Sequence, residues 1–382
     1  MTRNPRPRQA RGRSRVGERF TAEVGPIAHG GHCVVRLPEP EARVVFVRHA
    51  LPGETVVLEI TEGTEGDRFW RGDAVEVTTA SPDRVTAPCL FSGPGACGGC
   101  DFQHVAMPAQ RELKATVVRE QLRRLAGLDL PVVVEAVPGD QDGLRWRTRV
   151  EYAETRDGRR GMRKHRSRDV VPIDDCLIAA VPPVEEVAQR PSRNQGTSIE
   201  VVGSHEFSRA ADGFWQVHPG APTVLVETVL DFLQPRPGES VMDLYAGVGL
   251  FARFLGEAVG AGGEVLAVEG DRVACEHAVG NLAGLPKARV EAGPVAKVLE
   301  RLDSPPADLV VLDPPREGAK RKVVEQVVSS APRAVAYVAC DPSALARDIA
   351  IFAEHGYRLE RLRAFDLFPM THHVECVALL EQ

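Results

Sequence analysis

A cysteine stands directly after one of the most apolar segments of the chain. The segment 334–339 is typical of a buried strand, and Cys340 follows it, just before Asp341, Pro342 and a helix predicted over 343–355. A thiolate is the reactive form of cysteine, and a helix N-terminus or a nearby positive charge favours its formation. Most buried cysteines are small apolar core residues instead. Cys340 is therefore a candidate nucleophile, with a core role as the alternative.

Two further strands end in residues that can bind a ligand. The first ends in Asp243-Leu-Tyr-Ala-Gly247-Val-Gly249, where a glycine turn lets the backbone approach a ligand. Glu269 ends the next strand, 20 residues past Gly249, where a carboxylate can accept hydrogen bonds from ribose hydroxyls. The third glycine of a dinucleotide motif is absent, since Arg253 stands near its place. The pattern disfavours a dinucleotide and favours a nucleoside cofactor without pyrophosphate, such as S-adenosylmethionine.

Two more carboxylates are expected at the same edge of the sheet. Asp313 begins Asp-Pro-Pro-Arg after an apolar strand, which gives a rigid polar wall, although Asp-Pro-Pro also occurs as a plain turn. The segment from Phe365 to Glu375 has clustered polar residues, and Glu375 is a candidate base. A lone glutamate is more often a surface residue, so this position is weak by itself.

Three of the eight cysteines are clustered. Cys89 is followed after seven residues by Cys97-Gly-Gly-Cys100. In a long chain without a secretion signal, such spacing indicates a metal or iron–sulfur site rather than disulfides.

The formal charge of −6 hides two basic segments. Residues 1–15 carry six Arg and no acid, and residues 145–169 carry ten Lys and Arg against four acids. The remainder has 31 basic and 49 acidic residues, a formal charge of −18. The two segments are either phosphate-contacting surfaces or solvated surface. No apolar stretch is long enough for a signal peptide core or a membrane span, so we expect a soluble, cytoplasmic protein.

Two architectures follow one another along the chain. Short strands separated by glycines over residues 16–79 predict a small barrel, which could bind oligonucleotides or serve the structure alone. A helix is predicted over 106–126, strands over 144–152 and 169–176, and a loop over 182–197. From about residue 215, seven strands alternate with helices, which predicts a sheet covered on both faces, with the last strand inserted antiparallel. The predicted strands are 240–244, 264–268, 288–291, 308–312, 334–339, 358–366 and 374–380, and the predicted helices are 223–233, 249–258, 271–283, 294–301, 318–330 and 343–355.

Six motifs in this order resemble the RNA uracil-C5 (5-methyluridine) methyltransferase family. They are Phe-Trp-Gln216-Val, Asp-Leu-Tyr245-Ala-Gly-Val-Gly, Val-Glu269-Gly, Asp313-Pro-Pro-Arg, Ala-Cys340-Asp-Pro and Thr-His-His-Val-Glu375. The barrel resembles the TRAM domain of many members, and Cys-Gly-Gly-Cys with Gln103-His104 resembles the [4Fe–4S] loop of the 23S rRNA-modifying members. The resemblance implies an α/β class I methyltransferase domain with a seven-stranded, Rossmann-like sheet, an OB-like TRAM barrel and a small mixed α+β central domain.

The resemblance also implies residue roles. Gln216, Tyr245, Glu269 and Asp313 would bind S-adenosylmethionine, Cys340 would be the nucleophile and Glu375 the proton acceptor. Cys89, Cys97, Cys100 and the distant Cys176 would ligate the [4Fe–4S] cluster. The family usually has five residues between the first two of these cysteines, against seven here, and usually has Cys where Ala246 stands.

The implied function is methylation of carbon 5 of a uridine in RNA through a covalent cysteine–uracil adduct. The preferred substrate is 23S rRNA, with tRNA as the alternative. Rival interpretations are a non-catalytic RNA-binding assembly factor and a nucleotide-dependent oxidoreductase. We expect a disordered basic tail over 1–15, the TRAM-like barrel over 16–79, the central domain over 80–210 and the methyltransferase domain over 211–382. We further expect a monomer that binds RNA and no membrane.

Overall fold

A computed structural model describes residues 12–180 and 196–382. Its chain divides into two compact units, each built from separate segments. Unit 1 contains Met1–Leu113, Glu151–Leu177 and Pro369–His372, and unit 2 contains Lys114–Val150, Ile178–Phe368 and His373–Gln382. Residues 182–195 of the predicted loop over 182–197, and residues 1–11 of the predicted tail over 1–15, fall outside the described residues, while Thr197 already belongs to a strand.

The described residues form nineteen strands. They are β1 Arg19–Glu23, β2 Ile27–Ala28, β3 His32–Arg36, β4 Val44–Arg48, β5 Thr55–Glu62, β6 Phe69–Thr79, β7 Val134–Ala136, β8 Ala153–Glu154, β9 Arg160–Arg163, β10 Val170–Pro172, β11 Thr197–Val202, β12 His205–Ala210, β13 Ser240–Leu244, β14 Glu264–Glu269, β15 Ala288–Ala292, β16 Leu309–Leu312, β17 Ala334–Ala339, β18 Arg358–Asp366 and β19 Glu375–Glu381.

Seven α-helices and one π-helical turn accompany these strands in the described ranges. The helices are α1 Met107–Gln121, α2 Ala221–Leu233, α3 Leu250–Val259, α4 Arg272–Asn281, α5 Val295–Arg301, α6 Lys320–Ser329 and α7 Pro342–Glu354. The π-helical turn Leu122–Ala126 extends α1, and Gly127, with φ of 67°, ends it in the left-handed conformation that glycine tolerates. None of the described helices is both long and apolar enough to cross a membrane.

Unit 1 contains a six-stranded sheet in the order β1-β5-β6-β4-β3-β2. Gly72 is one of the glycines expected to separate strands, with a turn there before a strand over 74–79, but β6 already begins at Phe69, so that prediction is wrong. A Cβ at position 72 would stand 2.6 Å from the Glu59 carbonyl oxygen of β5. Glycine is therefore needed here for the close approach of two strands, and not for a turn. Of the predicted basic tail, residues 12–15 are described: Ser14 bridges to Thr64, and Arg15 pairs with Glu18.

Unit 2 contains an eight-stranded sheet in the order β15-β14-β13-β16-β17-β19-β18-β7. The last strand, β19, lies antiparallel between β17 and β18, as predicted. The predicted seven-stranded sheet gains an eighth strand, because the short β7 pairs in parallel with the end of β18. Near that edge, Lys114 Nζ donates to Asp366 Oδ1 at 2.5 Å, and both side chains are buried.

Helices cover both faces of this sheet. Successive strand residues alternate between two hydrophobic clusters: Met242 and Leu244 belong to one, and Val241 belongs to the other. Apolar faces of α5, α6 and α7 complete the first cluster, and those of α2 and α3 complete the second. Side chains of a strand point to opposite faces with a period of two residues, so the two faces of this one sheet pack into two separate hydrophobic cores.

The predicted strand Leu144–Tyr152 does not form. Within it only two isolated bridges are described, from Leu144 to Gln141 and from Arg147 to Ala179. Three guanidinium groups instead donate to backbone carbonyls: Arg145 to Ala179, Arg147 to Arg149, and Arg149 to Gly213 at 2.8 Å. The alternation of basic and apolar residues therefore reflects side chains that tie loops together, and not a half-buried strand.

Candidate active site

Five of the predicted site residues lie at one edge of the unit 2 sheet. Tyr245, Asp313 and Cys340 directly follow the ends of β13, β16 and β17, and Glu269 is the last residue of β14. Glu375 begins β19, which runs antiparallel to β17. Parallel strands and one antiparallel neighbour thus bring residues 130 positions apart in the sequence to the same edge.

The glycine turn after β13 is bound to Glu269. The Glu269 carboxylate accepts from the Gly247 amide at 2.8 Å and from the Asp271 amide at 2.7 Å. Gly247 and Gly249 have φ of 55° and 88°, and a Cβ on Gly247 would meet no atom within 4 Å. The turn therefore needs glycine for its conformation and leaves space beside the backbone for a ligand.

A buried acid outside the predicted set supports this turn. Asp243 is fully buried and accepts from the Ala252 amide at 2.8 Å, while its Oδ1 atom has no partner. Burial, and then the acids Asp313 and Glu269, raise the pKa of Asp243 to about 7. An unpartnered buried acceptor next to an open glycine turn fits a site for a ligand with hydrogen-bond donors, as S-adenosylmethionine has.

Acids also surround the candidate nucleophile. Burial, then Glu375 and Asp313, raise the pKa of the Cys340 thiol to about 12, while Arg316 acts in the opposite direction. At the N-terminus of α7, Asp341 caps the helix by accepting from the Ala344 amide at 2.8 Å, and its carboxylate also acts to raise the pKa of the thiol. The thiol is protonated at neutral pH until something changes its surroundings.

The remaining two carboxyls are also neutralised by their environment. Glu375 is buried, and burial and the neighbouring Asp313 raise its pKa well above the usual range. Burial and Glu269 raise the pKa of Asp313 to about 7. At neutral pH the Glu375 carboxyl and the Cys340 thiol are protonated and Asp313 is close to its midpoint, so the site can accept a cation or release protons when a ligand enters.

Two residues that the sequence did not reveal hold the loop after Asp313-Pro-Pro-Arg. Asp348 of α7 accepts from the Ala319 amide at 2.7 Å and from the Tyr337 hydroxyl at 2.5 Å. A Cβ on Gly318, whose φ is 80°, would stand 2.6 Å from this carboxylate. Asp348 thus caps α6 from another helix and fixes the turn relative to β17, the strand that leads to Cys340.

Gln216 lies in the loop before α2 and is half-buried. Thr148 donates to the Val217 carbonyl from its amide at 2.9 Å and from its hydroxyl at 3.1 Å. Together with the Arg149 bond to Gly213, these contacts join the basic segment to the loop that carries Gln216.

The four predicted cluster ligands all belong to unit 1. Cys97 is coupled electrostatically to Cys89 and Cys176, and Cys100 to Cys97 and Cys176; burial is the main reason that the pKa of each of these two thiols is raised. The Gly99 amide donates to Cys97 Sγ, and Gln103 Nε2 to Cys100 Sγ, both at 3.4 Å. The donor chemistry fits an iron–sulfur cluster. Among the described residues, however, no three such side chains are grouped closely enough to hold a metal ion.

Comparisons with known proteins point in one direction. A family model described as tRNA (Uracil-5-)-methyltransferase matches residues 298–382, and a TRAM domain model matches residues 13–75. The chain is 44% identical to an uncharacterized RNA methyltransferase of Streptomyces avermitilis, over 96% of this chain and 99% of that protein. It is 30% identical to the 23S rRNA (uracil(1939)-C(5))-methyltransferase RlmD of Chromohalobacter salexigens, over 99% of this chain and 93% of that protein.

One solved structure resembles nearly the whole fold. The tRNA (uracil-54, C5)-methyltransferase of Pyrococcus abyssi, solved in complex with S-adenosyl-L-homocysteine, aligns with a TM-score of 0.68 at 20% identity. The alignment covers 94% of this chain and all of that one. The predicted combination of a class I methyltransferase fold with an N-terminal TRAM domain is therefore confirmed.

Proposed function

Because the chain belongs to the RNA uracil-C5 methyltransferase family and is an S-adenosylmethionine-dependent enzyme, we propose that it methylates a uridine of 23S rRNA through a covalent adduct with Cys340. The observation that carries this proposal is the strand pairing of Ala339 with Cys376, which brings Cys340 at the end of β17 and Glu375 at the start of β19 to the sheet edge that also holds Asp313. Family membership leaves no support for the oxidoreductase interpretation.

Carbon 5 of uracil is a poor nucleophile, and the proposed roles answer that difficulty. The Cys340 thiolate adds to carbon 6, which makes an enolate with electron density on carbon 5. Carbon 5 then takes the methyl group that S-adenosylmethionine supplies. Glu375, which must first lose its own proton in the complex with the cationic cofactor, then takes the carbon 5 proton. The bond between sulfur and carbon 6 breaks, and the ring double bond returns. The target base must leave its stack to present this face.

We assign cofactor binding to four residues. Glu269 retains lone pairs for ribose hydroxyls beyond its two backbone bonds. Tyr245 follows β13 with φ of 66°, at the glycine turn, and Asp313 stands across the same edge. Gln216 is the fourth, from the loop before α2. The unpartnered Asp243 oxygen supports a ligand at this place.

The covalent step has a direct test. An RNA with 5-fluorouridine at the target cannot lose a proton from carbon 5, so the wild-type enzyme should remain attached to it after methyl transfer. The attached species would move slowly on a denaturing gel, and Cys340→Ala should give none. Methylation of ordinary RNA by Cys340→Ala would exclude the proposed nucleophile, and a wild-type protein without any transferase activity would favour a non-catalytic assembly factor.

We propose 23S rRNA as the substrate because the RlmD relative, a 23S rRNA methyltransferase, aligns over nearly its whole length. The family model and the Pyrococcus abyssi enzyme are named for tRNA, which keeps tRNA as the second candidate. Mass spectrometry of both RNA classes from a strain that lacks the gene would show which fragment loses 5-methyluridine. We further propose that the enzyme acts in the cytoplasm and as a monomer. The domain bounds predicted from the sequence are kept as part of the same proposal.

We also propose that Cys89, Cys97, Cys100 and Cys176 hold a [4Fe–4S] cluster with a structural or RNA-positioning role, since methyl transfer needs no electron. The Cys97-Gly-Gly-Cys100 spacing, the position of all four cysteines in unit 1 and the N–H groups that donate to the Cys97 and Cys100 sulfurs support it. Anaerobic purification followed by an absorbance scan, with and without dithionite, should show a visible band that bleaches. A colourless, iron-free protein that is fully active would exclude the cluster.

A further inference from the structure

The TRAM sheet of unit 1 carries aromatic side chains on the face away from its core. On β3, β4 and β6, alternate residues are fully buried: Cys33, Val35, Val45, Val47 and Trp70. The residues between them face the other way and are half-buried, and they include His32, Phe46 and Phe69. Apolar packing of the sheet explains the first set and leaves the second without a reason.

The strand pairing places these side chains together. Val34 pairs with Phe46 and Phe46 with Arg71, so these residues share one face. His32 and Phe69 lie two residues from Val34 and Arg71 on the same strands, hence on that face as well. The Phe46 ring lies 4.7 Å from the His32 ring and 5.2 Å from the Phe69 ring, both edge to face.

Positive charge surrounds the rings. The Arg71 guanidinium lies 5.0 Å from the centre of the Phe69 ring. Arg36, at the end of β3, lies on the same face and is exposed, and the exposed Arg166 is 3.7 Å from Glu62, which also pairs with Arg71. Arg48, Asp73 and Glu59 belong to the same face, but Arg48 and Asp73 are buried, and Glu59 pairs with Arg19 at 2.8 Å. Outside the buried pair, Arg19, Arg36, Arg71 and Arg166 stand against Glu59 and Glu62, which leaves the face cationic and complementary to a phosphate backbone.

We propose that His32, Phe46, Phe69 and Arg71 form a stacking platform for an unpaired base of the RNA substrate. Aromatic rings bordered by arginines on a small β-barrel are the arrangement that holds single-stranded nucleic acid, since every base has a π-face and guanidinium planes stack on it. Burial lowers the pKa of His32 to about 4, so its ring is neutral at physiological pH and can stack without carrying charge. The inference rests on RNA being the substrate and assigns to the TRAM sheet a contact with bases, besides phosphates.

The test uses the full chain and a fluorescent, single-stranded oligouridine of about ten nucleotides, within the site size of such barrels. Phe46→Leu and Phe69→Leu keep apolar volume but remove the ring. Each substitution should raise the Kd for the oligonucleotide roughly 5- to 150-fold, the range expected for the loss of one base–aromatic stack. The affinity for S-adenosylmethionine should not change. Phe20→Leu is the matched control, because Phe20 stacks on the core residue Trp70 at 6.1 Å.

Substitutions of Arg71 separate the contribution of its planar guanidinium group to RNA binding from the contribution of its charge. Arg71→Lys keeps the charge and removes the planar group, so it should weaken binding without changing the salt slope. Arg71→Gln should also flatten that slope. Thermal unfolding of each variant checks that the sheet is intact, and Arg71→Lys answers the question if a phenylalanine variant unfolds.

The outcomes separate the two proposals. Folded Phe46→Leu and Phe69→Leu proteins that bind the oligonucleotide as tightly as wild type would overturn the platform, while methyl transfer by the wild-type protein would stand. Equal losses for Phe20→Leu would also overturn it, since the effect would then be general to the sheet. A wild-type protein that methylates no RNA would refute the proposed function irrespective of the binding data.

Discussion

The Glu375 carboxyl is near enough to the Cys340 thiol to influence its ionisation. Burial first, and Glu375 second, raise the pKa of that thiol to about 12, and burial raises the pKa of Glu375 itself. The two groups form a coupled pair that is uncharged at neutral pH. The Cys340 thiol is thus protonated and unreactive as a nucleophile at neutral pH, and a cation next to it would favour the thiolate.

Cys340 should therefore respond to the charge of the bound cofactor. In the free protein, alkylation by iodoacetamide should be slow at pH 7 and rise with pH, because only the thiolate reacts. S-adenosylmethionine, whose sulfonium is positive, should lower the pKa and accelerate labelling, whereas S-adenosylhomocysteine, which lacks that charge, should not. Mass spectrometry of the Cys340 peptide gives both rates. Equal rates with the two ligands would contradict this electrostatic account.

Glu375→Gln should separate methyl transfer from release. The variant lacks the base that removes the carbon 5 proton, so methylated uracil should remain bound to Cys340 through carbon 6. We expect a protein–RNA species that survives denaturation, with little free 5-methyluridine. The double variant with Cys340→Ala is the control and should give no such species. Turnover by Glu375→Gln at the wild-type rate would assign the proton to another group.

Asp348→Asn should destabilise unit 2. The substitution removes the charge from a buried acceptor that serves the Ala319 amide and the Tyr337 hydroxyl, a loss of about 1–3 kcal/mol in the free energy of unfolding. Burial, and then the Asp348 carboxylate, raise the pKa of Tyr245 to about 12, so we expect the substitution to weaken cofactor binding as well. Urea unfolding and calorimetric titration measure the two effects. Glu354→Gln, at an exposed pair with Arg321, should change neither.

Asp243 should make the ligand-free enzyme less stable as pH rises. Its pKa is about 7 when folded and near 4 when unfolded, so between these values the folded state binds a proton that the unfolded state does not. Stability is then highest below about pH 4 for this group and falls until about pH 7, by up to roughly 4 kcal/mol. Asp243→Asn should flatten this part of the curve in urea titrations at several pH values. An unchanged slope would mean that Asp243 is ionised in the folded protein.

Deletion of residues 1–11 should weaken RNA binding mainly at low salt. The segment carries four Arg and no acid, and removal of its phosphate contacts should reduce the salt slope by up to about three units, at roughly 0.7 per phosphate for single strands. Arg13 and Arg15 are left in place because they pair with Glu18. Cofactor affinity should not change. Fluorescence anisotropy at several salt concentrations supplies the slope, and an identical slope in both proteins would make the segment solvated surface.

The seven strands β13 to β19 could be predicted from the sequence within one or two residues, because most of them are compact apolar runs between helical segments. Strand β7 could not, since three residues at a sheet edge carry almost no pattern. The turn predicted at Gly72 was wrong because glycine is selected both in turns and where two strands approach closely. The sequence alone does not distinguish the two reasons. Cys340 could be placed at the edge of the sheet, but its ionisation depends on Glu375 and Asp313, whose proximity only the tertiary structure provides.

The pairing of β7 with β18 has a kinetic consequence. Lys114 and Asp366, buried near this edge, are 252 residues apart in the sequence. Contacts of such separation form late, because a long loop must close before any of their free energy is gained. The sheet edge formed by β7 and the end of β18 should thus be the last part of unit 2 to fold. Amides of β7 and the end of β18 should accordingly lose protection from hydrogen exchange before those of β13 and β16.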